Sequence, residues 1–405
     1  MQDCLKVVVT GEVDSGKSTL IGRFLYETDS LSQGAIEEIE DISQRLGKDF
    51  EFAYLLDSLE EERKDQLTID TTQAFCKTKR GKELVFIDVP GHQELLKNML
   101  CGSSYADVAI LIVDVQKSME EQTKRHAFIL KFLGIEQIIL VLNKMDLVGF
   151  DEGASKKIEE DIAKFFKKIE IQPRYFIPLS ARQGDNLVRR SKKMGWYKGL
   201  SLGEVLNNCF KNFKKKRNGK FRFPIQDIYS LNGEKVAVGE IMSGRVKKGD
   251  RVNILPINKE CKVKTIKVFN KKKTVAKAPD SVGFILDDMN NLMRGQVICK
   301  PELPWVNSEI LTRIFCIHPL NIKDNLRLQC ATQEVPAQIK QINGVWDTVN
   351  LKPLFKEGIL EKTNFAEAII VTEKPVVVER FEGLNNLGRF VLKNNKEICA
   401  VGIII

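Results

Sequence analysis

The chain has 405 residues, 43% of them hydrophobic, and a formal net charge of +9. This length allows two or three domains, and the charge permits an anionic partner without requiring one. No apolar run is long enough to cross a membrane, and Met1–Cys4 does not read as the start of a signal peptide. Nine cysteines without a Cys-x-x-Cys pair argue against a disulfide framework and a zinc site. We therefore expect a cytoplasmic protein that does not associate with membranes.

The first predicted elements surround a glycine-rich loop. An apolar strand at Val7–Val9 leads into Gly11–Ser18, which reads GEVDSGKS and fits Gly-x4-Gly-Lys-Ser, and a helical pattern starts at Thr19. In this context backbone N–H groups surround an anion, and the helix N-terminus adds the positive end of its dipole. The sequence therefore predicts a phosphate-binding loop, in which Lys17 reaches the β- and γ-phosphates and the Ser18 hydroxyl binds Mg²⁺.

A second set of candidate residues follows a long charged insertion. The insertion, between Leu31 and Asp65, is predicted to be helical at Gly34–Glu40 and occupies the place of a nucleotide-dependent switch. Asp88 ends the apolar run Leu84–Ile87, which is predicted to be a buried strand. A carboxylate at that strand end would hold Mg²⁺ through water. The N–H of Gly91 would approach a γ-phosphate, because glycine has no side chain in the way.

The third candidate group points to the base. A strand at Val108–Val113, a helix at Glu120–Leu133 and a strand at Ile138–Leu142 precede Asn143–Asp146, which reads NKMD. A carboxylate here accepts hydrogen bonds from N1–H and the exocyclic amine of guanine. Adenine lacks both donors, and a buried carboxylate left without them is costly. The predicted base is therefore guanine. Leu67–Ile69, which follows the charged insertion, and Ser180–Arg182 bring the series to five motifs.

The chain is expected to form three domains. Residues 1–212 alternate strands and helices, which predicts an α/β P-loop GTPase domain with a mostly parallel sheet. The basic run Lys214–Arg217 is a solvated linker or an RNA contact. Strands then dominate, and we predict a β-barrel domain at 221–300 and a second β-barrel domain at 308–405, joined by a linker at Pro301–Pro304.

The five motifs and two barrels resemble the translational GTPase family across essentially the whole chain. Asp88–His92, which reads DVPGH, is a specific sign, because members of this family carry His where many regulatory GTPases carry Gln. The resemblance implies GTP and GDP as ligands, with Mg²⁺. It also implies that Thr68 binds the metal and senses the γ-phosphate, that His92 orients the attacking water, and that Lys17 stabilises the developing charge.

The predicted site consists of three overlapping sets of residues. The catalytic set is His92, Lys17 and Thr68, and the metal set is Ser18, Thr68 and Asp88. The nucleotide-binding set is Gly11, Val13, Asp14, Ser15, Gly16, Lys17, Ser18, Thr19, Gly91, Asn143, Lys144, Asp146, Ser180, Ala181 and Arg182.

Two subgroups of the family share the long insertion that ends at Leu56–Arg63. One is elongation factor 1-alpha, and the other is the GTPase subunit of bacterial ATP sulfurylase. The tracts Ser180–Gly199 and Gln122–Ile129 are similar to the sulfurylase subunit. In the last barrel, Val378–Phe381, Leu387–Leu392 and Ala400–Ile403 are more similar to elongation factor 1-alpha.

The two resemblances imply different outputs. The sulfurylase resemblance implies a GTP-hydrolysing regulatory subunit of sulfate adenylyltransferase, whose partner is a separate catalytic subunit that forms adenylyl sulfate from ATP and sulfate. The elongation-factor resemblance implies a carrier of aminoacyl-tRNA or another GTPase with an RNA or protein partner. Lys214–Lys216 and Lys271–Lys273 would support the carrier, although lysine triplets are usually solvated turns. RNA is the less favoured partner.

Four positions depart from the family pattern. Gln66 stands where the family has Gly in the switch, and we expect it to alter how the switch folds around GTP. Gly195 replaces a usual Pro, and Glu12 and Ser15 replace commoner loop residues outside the phosphate-binding core.

Overall fold

The chain divides into two units, Met1–Phe213 and Lys214–Ile405. The structure is a computed structural model. The residues that it describes are 4–31, 33–34, 36–37, 52, 72–78, 81–88, 106–117, 119–135, 137–213, 219–231, 233–268, 271–300, 302–349, 352–354, 358–381, 387–395 and 397–405.

The described part of the first unit contains a six-stranded sheet in the order β2-β3-β1-β4-β5-β6. Its strands are β1 Leu5–Gly11, β2 Thr72–Lys77, β3 Glu83–Asp88, β4 Val108–Asp114, β5 Ile138–Asn143 and β6 Tyr175–Pro178. Only the β2–β3 pair in this sheet is antiparallel. Every residue of β4 and β5 is buried, as expected for parallel strands covered on both faces.

Four helices and one 3-10 turn whose bounds lie in the described residues accompany this sheet. They are α1 Lys17–Glu27, α2 Glu121–Phe132, the 3-10 turn Met145–Val148, α3 Glu152–Lys168 and α4 Leu202–Phe213. α3 shows why such segments are helical. The Asp151 carboxylate caps it by accepting a hydrogen bond from the N–H of Ala154 (2.7 Å), and Ile158, Ile162 and Phe165 bury one face.

The sheet order brings the predicted motifs to one edge. β1 lies between β3 and β4, and the register pairs Val9 with Asp88 and Asp114 with Asn143. These residues therefore meet at the carboxyl ends of parallel strands. β2 and β3 lie on one side of β1, and β4, β5 and β6 lie on the other side. The strand order therefore switches direction at β1, and open α/β sheets bind ligands at such a switch point.

The second unit begins with a barrel-type sheet in the order β7-β16-β11-β12-β15-β9-β8, with β13 paired to β12 and a separate β10–β14 pair. The strands are β7 Arg222–Pro224, β8 Asp227–Leu231, β9 Glu234–Glu240, β10 Arg245–Lys247, β11 Arg251–Leu255, β12 Lys259–Val268, β13 Lys271–Lys273, β14 Val275–Lys277, β15 Ser281–Leu286 and β16 Val297–Cys299. In β12, buried Cys261, Val263 and Ile266 bracket exposed lysines, a pattern typical of strands with one solvated face.

A closed barrel follows, in the order β17-β22-β20-β19-β23-β24, beside a β18–β21 pair. Its strands are β17 Trp305–Cys316, β18 Leu320–Asn321, β19 Leu326–Cys330, β20 Gln333–Asp347, β21 Ile359–Leu360, β22 Asn364–Val378, β23 Arg389–Asn394 and β24 Glu397–Ile404. Closure leaves no free strand edge.

The two sheets of the second unit are joined by a buried ion pair. Arg222 is fully buried, and its Nε and Nη2 both donate to Oε1 of Glu379, at 2.9 and 2.6 Å. The same guanidinium donates to the carbonyl of Glu302 (2.7 Å). A small apolar cluster also contains residues of both sheets, among them Leu255 of β11 and Val377 of β22. β7 and β22 are thereby tied together.

The fold confirms the predicted α/β P-loop domain followed by two all-β barrel domains. The domain limits 1–212, 221–300 and 308–405 remain a proposal. α1 starts at Lys17, two residues before Thr19, and β17 starts at Trp305. In the predicted helical insertion, Gln33–Gly34 and Ile36–Glu37 are helical, and residues 38–51 lie outside the described part.

The structure also bears on two predictions made from the composition, one about the cysteines and one about membrane-spanning segments. All eight described cysteines are free thiols, and seven of them are buried. No helix in the described residues is long and apolar enough to span a membrane.

Candidate functional site

The phosphate loop depends on glycine at Gly16. This residue has a φ of 89°, in the left-handed region that favours glycine. A Cβ at this position would collide with the side-chain amide of Asn143. The loop and the strand end of β5 are therefore in close contact, and a larger residue at position 16 would separate them.

Lys17 lies across the loop. Its ammonium group donates to the backbone carbonyls of Gly11 (3.1 Å) and Glu12 (2.7 Å), and the side chain is buried. Burial lowers the pKa of Lys17, while the nearby charges of Asp88, Asp14 and Glu12 oppose that shift. An incoming polyphosphate would stabilise the charged ammonium, so the site is prepared for an anion.

A hydroxyl and a carboxylate meet beside this lysine. The Ser18 hydroxyl donates to Oδ2 of Asp88 at 3.2 Å, which brings the first turn of α1 to the end of β3. Oxygen atoms of this kind are the ligands that Mg²⁺ prefers, usually together with water and phosphate oxygens. Among the described residues no cluster of three or more His, Cys, Asp or Glu is arranged to hold a metal ion. The predicted Mg²⁺ set contains one carboxylate, Asp88, and stays a prediction.

Asn143 connects the phosphate loop to the Ser180–Arg182 loop. Its amide nitrogen donates to the carbonyl of Ser15 (2.8 Å), and its amide oxygen accepts from the N–H of Ala181 (2.9 Å). The side chain is 2% exposed, so both bonds are shielded from water. Asn143 thus fixes the distance between the two loops.

The carboxylate of Asp146 is oriented by Ser180. Oδ1 of Asp146 accepts a hydrogen bond from the Ser180 hydroxyl at 2.6 Å. No other described residue donates to this carboxylate, which is half-buried. A carboxylate held in one orientation at the strand-end edge has the chemistry required to accept the two guanine N–H groups.

Lys144 is held by Asp114, a residue that the sequence reasoning missed. Lys144 has a φ of 66°, and its ammonium group lies 2.7 Å from Oδ2 of Asp114. Oδ1 of Asp114 accepts from the N–H of Gln116 (2.9 Å). Asp114 could have been found from sequence, because it ends β4 as Asp88 ends β3 and Asn143 ends β5.

Glu12 has an unusual electrostatic environment for a phosphate loop. Burial, a hydrogen bond with Glu120 and the charge of Glu120 raise the pKa of Glu12 to about 7. The charges of Lys117 and Lys17 act in the opposite direction. Because a carboxylate near a nucleotide phosphate is repelled, the protonation of Glu12 bears on nucleotide binding.

The tract from Ser180 to Gly199 is a folded structure of its own. Asn186, with a φ of 59°, donates to the carbonyl of Pro178 (2.8 Å) and accepts from the N–H of Ser191 (2.8 Å). The Ser191 hydroxyl donates to Oδ1 of Asp185 (2.7 Å), and the indole N–H of Trp196 donates to the carbonyl of Phe150 (2.9 Å). These bonds fix the course of the tract from Ser180 to Gly199.

Of the remaining predicted site residues, some lie in the described part of the chain and others lie outside it. Val13 is 59% exposed, Thr19 lies in the first turn of α1, and the carbonyl of Arg182 accepts from Arg23 (3.1 Å). The described residues do not include Thr68, Gly91 and His92, and Gln66 also lies outside them.

Family models cover most of the chain. "Elongation factor Tu GTP binding domain" matches residues 2–217, "Elongation factor Tu domain 2" matches residues 234–299, and "GTP-eEF1A C-terminal domain-like" matches residues 311–405. The order of these matches follows the order of the α/β sheet, the first barrel-type sheet and the closed barrel.

Relatives of two kinds match the chain over nearly its full length. Elongation factor 1-alpha of Pyrobaculum arsenaticum is 34% identical, and the alignment covers 99% of this chain and 94% of that protein. Sulfate adenylyltransferase subunit 1 of Bacteroides thetaiotaomicron is 33% identical, with 100% of this chain and 86% of that protein covered. A solved structure of sup35 complexed with GDP has a TM-score of 0.45 and 22% identity, and covers 100% of this chain and 94% of that one.

Proposed function

Because the chain belongs to the translational GTPase family, we propose that it is a GTP-driven switch whose output is sulfate activation. Family membership supports GTP hydrolysis and the binding of GTP and GDP. In our proposal the chain is the regulatory subunit of a sulfate adenylyltransferase. A separate catalytic subunit would form adenylyl sulfate from ATP and sulfate, and GTP turnover would drive that unfavourable reaction.

One observation carries the nucleotide part of the proposal. Asn143 bonds to the phosphate loop on one side and to the Ser180–Arg182 loop on the other. The phosphate-binding and base-binding halves of the site are therefore held at a fixed separation, which is what recognition of a whole nucleotide requires. Asp146, oriented by Ser180, would select guanine.

The residues of this chain would act mainly by position and charge. Lys17, already held over the loop by two carbonyls, would exchange them for phosphate oxygens and stabilise the charge that develops during phosphoryl transfer. Ser18 and Thr68, together with Asp88 acting through water, would hold Mg²⁺, and the ion would supply positive charge beside the β- and γ-phosphates. We propose His92 as the residue that orients the attacking water, and Gly91 and Thr68 as the sensors of the γ-phosphate.

The sulfate-activation output is supported by the tract from Ser180 to Gly199. Its similarity to the sulfurylase subunit extends over a continuous, hydrogen-bonded segment on the first unit, and a relative named sulfate adenylyltransferase subunit 1 covers the whole chain. The test is to purify the chain with the sulfate adenylyltransferase catalytic subunit of the same organism. Adenylyl sulfate formation from ATP and sulfate should be faster with GTP than without it, and the chain alone should form none.

A second candidate output is a carrier role of the elongation-factor kind. It is supported by the match of residues 311–405 to a C-terminal domain model of that type and by relatives named elongation factor 1-alpha at 34% identity. Such a carrier would protect the ester bond of aminoacyl-tRNA when GTP is bound, and its affinity would fall steeply with salt. If the chain protects aminoacyl-tRNA in a GTP-dependent way and has no effect on sulfate activation, the carrier role replaces the regulatory role in sulfate activation.

A further inference from the structure

A groove of about 800 Å³ lies on the surface of the first unit, outside the nucleotide-binding set. It is formed by the C-terminal half of α1, the residues after it and the tract from Gln183 to Lys193. None of the described residues that we assign to phosphate, metal or base lines it. Its volume is within the range of about 300–1,000 Å³ that is typical of ligand-binding pockets.

The described lining carries an excess of positive charge, with five cationic and three anionic side chains. Two pairs are internally neutralised, namely Arg23 with Glu27 (2.8 Å) and Lys193 with Asp185 (3.0 Å). Arg189 and Lys192 differ from these. Both are exposed, and neither makes a side-chain hydrogen bond or ion pair with another residue that the structure describes.

An apolar strip adjoins these cations. Tyr26 is 42% exposed, and Leu31 and Ile36 are half-buried, so all three present carbon surface to the groove. Burying that carbon surface under a partner would be favourable. The groove therefore offers both charge and apolar surface to one occupant.

The shape of the groove is built into the fold. Gly184 has a φ of 81°, and a Cβ there would collide with the side chains of Glu27 and Arg23. Arg23 in turn donates to the carbonyls of Arg182 (3.1 Å) and Gln183 (3.3 Å). α1 and the tract are thus locked together, and the groove needs no rearrangement to receive a ligand.

We propose that this groove binds an acidic, partly apolar segment of a partner protein. Carboxylates of the segment would pair with Arg189 and Lys192, and its apolar side chains would cover Tyr26 and the strip beside it. A nucleic acid fits less well, because a continuous phosphate backbone would leave the apolar strip of Tyr26, Leu31 and Ile36 uncovered. The inference goes beyond the proposed function, since it holds whichever partner the switch serves.

The test uses a fluorescein-labelled synthetic peptide in which glutamate pairs alternate with leucine, titrated with the full chain and followed by fluorescence anisotropy. The double variant Arg189→Glu/Lys192→Glu should bind about tenfold more weakly than the unmodified chain. The matched control, Lys157→Glu/Lys164→Glu, makes the same change of net charge with exposed lysines of α3. It should bind within about twofold of the unmodified chain, because it keeps the local charge of the groove.

No binding of the peptide by the unmodified chain would overturn the proposal, and so would equal losses in the two double variants. A single-stranded RNA of similar length provides the second arm. Groove-dependent binding of that RNA, with none of the peptide, would also overturn it. The assay contains neither GTP nor a sulfurylase subunit, so its failure would leave the proposed function standing.

Discussion

Among single residues, Glu12 gives the site a dependence on pH. Its pKa is raised to about 7 from an ordinary value of 4.5, mainly by burial and then by Glu120. The folded state therefore holds this proton more tightly than the unfolded chain does. The contribution to stability is complete below pH 4.5, declines above it and is lost as the pH rises through 7.

This shift predicts how nucleotide affinity changes with pH. Ionised Glu12 would repel the phosphates of GDP, so the unmodified chain should lose affinity between pH 6 and 8 relative to Glu12→Gln, by about threefold or more. The measurement is GDP titration of both proteins in the same buffers, which cancels the ionisation of the nucleotide itself. Parallel pH profiles for the two proteins would contradict this role for Glu12.

His92 is the single residue on which our proposal for hydrolysis depends. His92→Ala should lower the rate of GTP turnover by about 100-fold and leave the affinity for GTP nearly unchanged, because water-orienting groups act mainly in the transition state. His318→Ala is the matched control, since His318 is a half-buried residue of the second unit without such a context. The assay should include the partner that activates the protein. A normal rate of GTP turnover in His92→Ala would show that a group other than His92 orients the attacking water.

At the scale of elements, Asn143 joins two loops at the end of β5. Asn143→Ala removes two buried hydrogen bonds and leaves the N–H of Ala181 without that partner, so we expect a loss of about 2–4 kcal/mol in stability and weaker GDP binding. Asn207→Ala is the control, because it removes one partly buried bond to the carbonyl of Gly203 on α4. It should cost about 1 kcal/mol and leave GDP affinity unchanged. Denaturant unfolding and GDP titration measure both effects, and similar GDP affinities in the two variants would contradict the joining role.

The strands of the first unit show how much of the fold and of the candidate site the sequence could predict. Apolar runs followed by Asp88 or Asn143 marked the ends of β3 and β5, because continuous apolar strands are typical of parallel sheets. The sequence did not reveal that the Asn143 amide bonds to the backbone of Ser15 and Ala181. The partners lie 128 and 38 positions away in the sequence, so these contacts depend on the order of the strands in the sheet. The hydrophobic periodicity within a strand does not determine that order.

The charged features that the sequence missed have a similar cause. Asp114, the shifted pKa of Glu12 and the groove beside Arg189 all depend on which side chains are brought together across separate elements. Composition and spacing identify charged residues but not their neighbours. The positive φ of Gly184, which locks α1 to the tract, is likewise a property of the folded backbone.

At the scale of the whole molecule, the second unit depends on the pair between Arg222 and Glu379. Glu379→Ala would leave a fully buried guanidinium without its carboxylate, and breaking a buried pair in this way costs about 3–5 kcal/mol. Glu334→Ala, which breaks the exposed pair with Arg327, is the control and should cost about 1 kcal/mol or less. Urea unfolding distinguishes these results. An equally small effect for both variants would show that the buried pair does not hold the two sheets together.

In our proposal, guanine nucleotide bound at Asp146 controls sulfate activation, and a change of the nucleotide base that the site accepts tests this control. Asp146→Asn replaces the acceptor for guanine by an amide that donates to the 2-oxo group of xanthine. With the catalytic subunit present, we predict that GTP stimulates adenylyl sulfate formation by the unmodified chain, and that xanthosine triphosphate replaces GTP as the stimulating nucleotide for the variant. Two results would contradict control of sulfate activation through Asp146. One is that GTP stimulates the variant as strongly as the unmodified chain, and the other is that GTP does not stimulate the unmodified chain.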